Sequence, residues 1–273
     1  GTDVTGTGTV TSATQQVTGI DVSGLNDGTL TLTVTLTDRA GNAGTPATST
    51  RLKDVVAPAV FTAAIDQAYV NNANQGAISF TFGGAEAGTD YDYTITSSGG
   101  GTSVTGSGTI ATATDAISGL NLAGLNDGTL TLSVTLSDTA GNTRNATSTK
   151  TKDAAVPAGY LATFDQAYVN NYNKTAISFT FTGAEPGTSY AYTITDSLSG
   201  SINGSGTVST ATDTISPINV DSLADTPLTL TVYLTDTAGN VGTNATDLIV
   251  KDETPPSNTG FPGNVSTGAS QSV

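Results

Sequence analysis

The chain has 273 residues, and its 8 Lys plus Arg against 23 Asp plus Glu give a net charge of −15 at pH 7. That balance disfavours binding to nucleic acid or anionic membranes and favours binding to cations. Cys, His, Met and Trp are absent, which excludes disulfides and thiolate or imidazole chemistry and leaves only hard oxygen ligands for a metal ion.

Long apolar segments are also absent from the sequence. No run approaches the roughly 18 residues that a membrane-spanning helix needs, and the first residues do not form a signal peptide. We therefore expect a soluble segment with no membrane insertion.

Internal repetition organises the chain from its beginning. The heptapeptide D-Q-A-Y-V-N-N at residues 66–72 returns at residues 165–171, and 165 − 66 = 99. The same spacing separates Lys53, Lys152 and Lys251, each of which is followed by Asp. A repeat of about 100 residues is too long for a solenoid unit and is typical of an independently folding sandwich. We predict half a repeat at 1–54, complete repeats at 55–153 and 154–252, and a linker with the start of a further unit at 253–273.

Within a complete repeat the apolar residues alternate with Thr and Ser. Leu130, Leu132, Val134 and Leu136 follow this period of two, which is typical of a strand with one buried face. Gly and Asn-Asp-Gly turns separate such segments, and no segment has helical periodicity. The sequence predicts an all-β fold with seven strands per repeat, at 59–66, 77–82, 91–96, 103–106, 109–117, 129–137 and 142–152.

Two further motifs have residue types that can form sites. Residues 67–72 are predicted to form the turn after the first strand, with Tyr69 buried, rather than a ligand site. N-x-S/T sequons are expected by chance in a chain so rich in Asn and Thr, and glycosylation is a minor alternative. The sequons begin at Asn145, Asn173, Asn203, Asn244 and Asn264.

Three motifs carry a resemblance to a known family. D-x-A-G-N occurs at 38–42, 138–142 and 236–240, A-E-x-G at 85–88 and 184–187, and K-D-x-x-x-P from Lys53 and Lys152. In these motifs the chain resembles the bacterial immunoglobulin-like extender repeats of giant biofilm and RTX-type surface adhesins. The resemblance implies seven-stranded immunoglobulin-like sandwiches joined end to end, in an extracellular stalk with calcium at the junctions between repeats. The junction at Lys251 departs from the motif because Glu253 adds a charge.

Topology predicts which acidic residues meet. If the strands run alternately between two poles, the loop after the second strand, the loop after the sixth and the incoming linker share one pole. Carboxylates converging there without Lys or Arg would repel one another unless a cation lay among them, and Ca²⁺ accepts six to eight oxygens. The predicted calcium ligands are Asp54, Glu86 and Asp138 at one junction, and Asp153, Glu185 and Asp236 at the next.

Each of these acids also has a purely structural explanation. Asp138 could only cap its turn, Glu86 could only be solvated, and Asp54 could only end a strand. Asp127 is best explained by its Asn-Asp-Gly turn. The weaker ligand candidates are Asp27, Asp38, Asp66, Asp127 and Asp252.

The function predicted from these features is a structural extender of a bacterial surface adhesin, stiffened by calcium. No catalysis is expected, because an enzyme rarely needs an identical site every hundred residues. The expected partners are calcium and neighbouring repeats, without nucleic acid, and a cell-surface or matrix partner would be bound through other parts of the protein. The alternative is a self-assembling or ligand-binding extracellular fibre module, such as a sheath or fibril subunit or a carbohydrate-binding repeat.

Overall fold

A computed structural model describes residues 1–256. These residues form 17 β-strands, and none of them lies in a helix that could cross a membrane. The fold is all-β, as the alternating pattern predicts. Two compact units are present: Gly1–Val70 with Asn74–Asp153, and Asn71–Ala73 with the residues from Ala154 onward. The boundaries of the four predicted segments remain predictions.

The first predicted half-repeat contains one antiparallel hairpin. Strands β1 (Gly28–Val34) and β2 (Ala47–Lys53) pair along their whole length, with Gly28 opposite Lys53. The side chains of Leu32 and Val34 are 54% and 45% exposed. The hairpin therefore has strand pairing without a buried apolar face.

The first complete repeat is a two-layer sandwich. One antiparallel sheet has the order β3-β4-β7 and the other the order β6-β5-β8-β9. Because the fourth strand pairs with the third, the layers contain three and four strands. The bounds are β3 (Thr62–Ile65), β4 (Ile78–Gly83), β5 (Asp90–Ser97), β6 (Val104–Thr109), β7 (Ala116–Leu120), β8 (Gly128–Ser137) and β9 (Thr143–Lys152).

Aromatic rings fill the core between these sheets. Phe80 lies edge-on to Phe82 and to Tyr93, with ring centroids 5.4 and 5.2 Å apart. Such pairs add roughly 0.5–1.5 kcal/mol each to the effect of burial. The Tyr93 ring lies over Gly106, where a Cβ atom would be 2.5 Å from the tyrosine oxygen. Glycine is needed there because any side chain would displace the ring.

The second complete repeat is built in the same way. Its sheets have the orders β10-β12-β15 and β11-β17-β16-β13-β14. Phe179 and Phe181 occupy the places of the first repeat's phenylalanines and are fully buried. The bounds are β10 (Leu161–Phe164), β11 (Tyr168–Val169), β12 (Ile177–Thr182), β13 (Ser189–Thr195), β14 (Ser201–Thr207), β15 (Thr214–Ile218), β16 (Pro227–Thr235) and β17 (Ala245–Lys251).

The fifth strand differs from its prediction. The expected strand at 109–117 is interrupted because the Asp115 side chain accepts hydrogen bonds from the amides of Ala111 and Thr112 and closes a turn. Strand β6 accordingly extends to Thr109, and β7 begins only at Ala116. The strand predicted within 257–273 lies outside the described residues.

The turn predicted at 67–72 also needs correction. Tyr69 is 40% exposed, whereas Val70 is fully buried, so the prediction of a buried tyrosine is wrong. The Val70 amide donates to the Thr151 carbonyl oxygen at 3.0 Å, and Val70 forms a parallel bridge with Lys152. This pairing turns the valine towards the core, and its counterpart in the second repeat is the short parallel strand β11.

Candidate functional site

Asp138 closes the turn between β8 and β9. Its Oδ1 accepts the amides of Ala140 and Asn142, both at 2.9 Å, and its Oδ2 accepts the Asn142 side-chain amide at 2.8 Å. The Asn142 side-chain bond, the largest cause, holds the pKa of Asp138 below its ordinary value. Asn142 Nδ2 also donates to the Asp54 carbonyl oxygen at 3.1 Å, which ties the turn to the incoming linker.

Asp54 and Glu86 each accept one backbone amide. Asp54 Oδ1 accepts from Val56 at 3.0 Å, and Glu86 Oε2 accepts from Ala59 at 3.1 Å. Within residues 1–256, Asp54 Oδ2 and Glu86 Oε1 receive no hydrogen bond. One oxygen of each carboxylate is thus available to an external cation.

Asp54, Glu86 and Asp138 line one cleft of about 330 Å³, here called the acidic cleft. The structure thus brings the linker and these two loops together, as the topology predicts. Neither Lys nor Arg is among the lining residues of the cleft. Among the described residues, however, no three Asp, Glu, His or Cys side chains are grouped closely enough to hold a metal ion. Calcium ligation by this trio therefore stays a prediction.

The corresponding acids of the second junction lie in different units. Asp153 belongs to the first unit, and its amide donates to the Val70 carbonyl oxygen at 2.9 Å. Glu185 and Asp236 belong to the second unit, where Asp236 caps its turn by accepting the Asn240 amide at 2.8 Å. The grouping of the three remains a prediction.

The weaker ligand candidates all have partners close by. Asp27 lies 3.7 Å from Lys53 Nζ, and Asp127 lies 2.9 Å from Lys152 Nζ. Such ion pairs neutralise the carboxylates without a metal ion. The other three accept local hydrogen bonds: Asp38 from Ala40 and Asn42, Asp66 from Ser79, and Asp252 from Thr254.

A lysine at the end of each repeat was not recognised as a structural centre from the sequence. The side chains of Lys152 and Lys251 are only 3% and 1% exposed. Lys251 Nζ donates to the carbonyl oxygens of Val220, at 3.0 Å, and Leu223. The sequence feature that could have indicated this role is the 99-residue spacing of these lysines. A lysine repeated at that spacing can be a buried residue of each domain as well as part of a junction.

Glu253 is held by two lysines. Lys174 Nζ lies 2.8 Å from its Oε2, and Lys251 Nζ lies 2.9 Å from its Oε1. The hydrogen bond from Lys174 is the largest cause that holds the pKa of Glu253 below its ordinary value, and the hydrogen bond from Lys251 is the second. Lys174 also pairs with Asp221 at 2.8 Å, and Asp221 together with Glu253 raises the pKa of Lys174. The added charge at residue 253 thus belongs to a cluster of ion pairs.

Residues 171–253 match the family described as bacterial Ig-like domain. This part of the chain is similar to that family. The match covers β12 to β17 of the second complete repeat. The first complete repeat has the same two-sheet arrangement, except that the larger sheet of the second repeat gains the short strand β11. None of the curated proteins matches the sequence.

Solved structures of tandem modules are similar to this chain. A tetra-tandem repeat from the extending region of a large adhesion protein is 26% identical, with a TM-score of 0.37, over 85% of this chain and 59% of that one. A Ca²⁺-stabilised adhesin that helps an Antarctic bacterium reach out and bind ice is 22% identical, with a TM-score of 0.46, over 83% and 57%. The chain thus spans less than two thirds of either structure.

Proposed function

We propose that the chain is an extender segment of a bacterial surface adhesin, with its Ig-like domains outside the cell and no catalytic role. The bacterial Ig-like match at 171–253 and the repetition of the same sandwich support this proposal. One similar structure comes from the extending region of a large adhesion protein, which agrees with the proposal. Neighbouring repeats are the partners that such a segment requires, and an adhesive target would be bound elsewhere in the protein.

The acidic cleft is the proposed calcium site. Its donor set contains only oxygens and no lining cation, and Asp54 and Glu86 each keep one oxygen without a protein donor. Those features suit a hard cation with flexible coordination. Asp54, Glu86 and Asp138 would hold the ion and so join the linker to two loops. We extend the proposal to Asp153, Glu185 and Asp236 by their repeated positions.

Calcium titration tests the site directly. At affinities of roughly 10⁻⁴–10⁻³ M, 10 mM Ca²⁺ should raise the melting temperature of the first complete repeat by several degrees. The double variant Asp54→Asn with Glu86→Gln should abolish that rise, because it removes both available carboxylates. Differential scanning calorimetry of the whole chain with Ca²⁺, and with EGTA, measures the change.

Asp92→Asn is the matched control, since Asp92 is an exposed acid of β5 outside the cleft. It removes one negative charge outside the cleft, against two inside it in the double variant, and should keep the full calcium response. An equal response in the control and the double variant would contradict the cleft assignment. Small-angle scattering with and without calcium then tests the extender role, for which chelation should change the maximum dimension.

A further inference from the structure

The second complete repeat has a depression of about 550 Å³ on the outer face of its larger sheet, here called the tyrosine depression. Strand register places Tyr233, Ala191 and Ser205 side by side in one row. Thr231, Thr193 and Asn203 form the adjacent row. The small Ala191 side chain leaves space between its taller neighbours, which makes the surface concave.

The lining chemistry is polar and uncharged in a strongly acidic chain. Tyr233 is 38% exposed, and no Asp, Glu, Lys or Arg lines the depression. Thr193 Oγ1 donates to Asn203 Oδ1 at 2.7 Å, which orients the amide of this exposed residue and leaves Nδ2 to donate to a ligand. Asn244 supplies a second exposed amide at the rim.

The same positions in the first complete repeat have different chemistry. Thr135 stands opposite Asp92, which stands opposite Ser107, so a carboxylate replaces the alanine and a threonine replaces the tyrosine. In the adjacent row Thr105 replaces the asparagine. The aromatic ring, the oriented amide and the uncharged floor are therefore found together in the second repeat, on an otherwise common scaffold.

We propose that the tyrosine depression binds a neutral saccharide. An exposed tyrosine ring offers an apolar face to sugar C–H groups and a hydroxyl at its edge. Amides and hydroxyls can donate to and accept from sugar hydroxyls. A concave surface that combines an aromatic face with a few oriented polar groups is typical of small-ligand sites. The absence of lining charge favours a neutral glycan over an anionic one.

This site is independent of the proposed calcium-stiffened extender role, because none of its lining residues belongs to the acidic cleft. The chain would then bind a glycan itself, in addition to an adhesive target bound elsewhere in the protein. Loss of the calcium response would leave the saccharide proposal standing, and the reverse also holds.

Affinity electrophoresis of the whole chain tests the proposal. Native gels containing dextran, mannan or arabinogalactan supply neutral polysaccharides, and alginate supplies an anionic control. At least one neutral gel should retard the wild-type chain, and Tyr233→Thr should weaken that binding about tenfold. Ala191→Asp should abolish it, because the carboxylate fills the floor and introduces charge. Unchanged circular dichroism would confirm that both variants are folded.

A graft onto the first repeat gives the converse test. In a Tyr233→Thr background, the triple change Asp92→Ala, Thr105→Asn and Thr135→Tyr should restore retardation in the same gel. Wild-type mobility unaffected by every neutral polysaccharide would overturn the proposal, as would equal retardation of the wild type and Ala191→Asp. Because Asn203 and Asn244 begin sequons, an intact mass showing a covalent glycan on either residue of the secreted chain would also overturn it.

Discussion

The C-terminal ends of the two complete repeats place a buried lysine at the same position but surround it with different charges. Lys152 pairs with Asp127 at 2.9 Å in the first repeat. Lys251 instead contacts carbonyl oxygens and Glu253, which also pairs with Lys174. A shared lysine therefore serves one ion pair in the first repeat and a charged cluster in the second.

The difference arises from a few linked substitutions. Gln75 and Lys174 are equivalent, because their carbonyl oxygens accept the amides of Leu122 and Val220 at 2.7 and 2.8 Å. Lys174 faces Asp221 and Glu253, whose equivalents in the first repeat are alanines. At the ends of the repeats, lysines neutralise the carboxylates, including Asp27 and Asp127. No lysine lines the acidic cleft. The comparison therefore favours the cleft over Asp27 or Asp127 as a calcium site.

The largest effect is expected from Lys251→Met. Removing this ammonium leaves buried carbonyl oxygens and the buried Glu253 Oε1 without their cation. Loss of one partner of a buried pair costs about 3 kcal/mol. Hydrogen exchange measured by mass spectrometry should show that the free energy of local opening of β16 and β17 falls by about that amount.

Lys150→Met is the control for that variant, because Lys150 lies on β9 outside both lysine clusters. It should leave exchange in β16 and β17 unchanged. If the amides of Lys251→Met were as protected from exchange as those of the wild type, the cluster would not be what stabilises this end of the repeat.

A smaller loss, of about 1 kcal/mol, is expected for Lys152→Met. The side chain of its partner Asp127 is 40% exposed, so water can solvate the carboxylate once the lysine is gone. Exchange in β8 and β9 measures this loss. An effect as large as that of Lys251→Met would show that the two ends differ less than their contacts indicate.

Acid should weaken the second end through Glu253. Because its folded pKa lies below the ordinary 4.5, its contribution is complete above about pH 4.5 and is lost as pH falls through the lowered value. Glu253→Gln should flatten this part of the stability profile. Exchange in β17 between pH 3 and 6 tests the change, and an unaltered slope in the variant would assign the acid sensitivity to another group.

The smallest effect is expected from transferring the cluster. Gln75→Lys with Ala123→Asp and Ala154→Glu should slightly raise the melting temperature of the first repeat, since partly exposed pairs contribute little. The gain should disappear in 1 M NaCl because salt screens such pairs. A gain that survives high salt would point to packing rather than charge.

Strand positions in the middle of each repeat were predictable from the sequence. Tyr91, Tyr93 and Ile95 share a buried face, as their period of two predicts, and β8 deviates by only one residue from its predicted start. The fifth strand was misplaced because a single side chain, Asp115, closes a local turn inside a Thr-rich segment. Alternation cannot reveal such a bond.

The candidate site was predictable in its location more than in its chemistry. The direction of the strands was enough to predict that Asp54, Glu86 and Asp138 lie at one end of the domain, and they line one cleft. The buried environment of Lys251 depends on carbonyl oxygens about 30 residues earlier, which only the folded chain brings within hydrogen-bond distance.

Two nearly identical segments separate what the sequence determined from what the tertiary structure decided. β1 and β8 share the alternation of Leu and Val with Thr, and both are strands. Yet Leu32 is 54% exposed, while its counterpart Leu132 is fully buried. Alternation sets the backbone conformation and sorts apolar side chains onto one face. Burial of that face requires a second sheet packed against it, which in the described residues β8 has and β1 lacks.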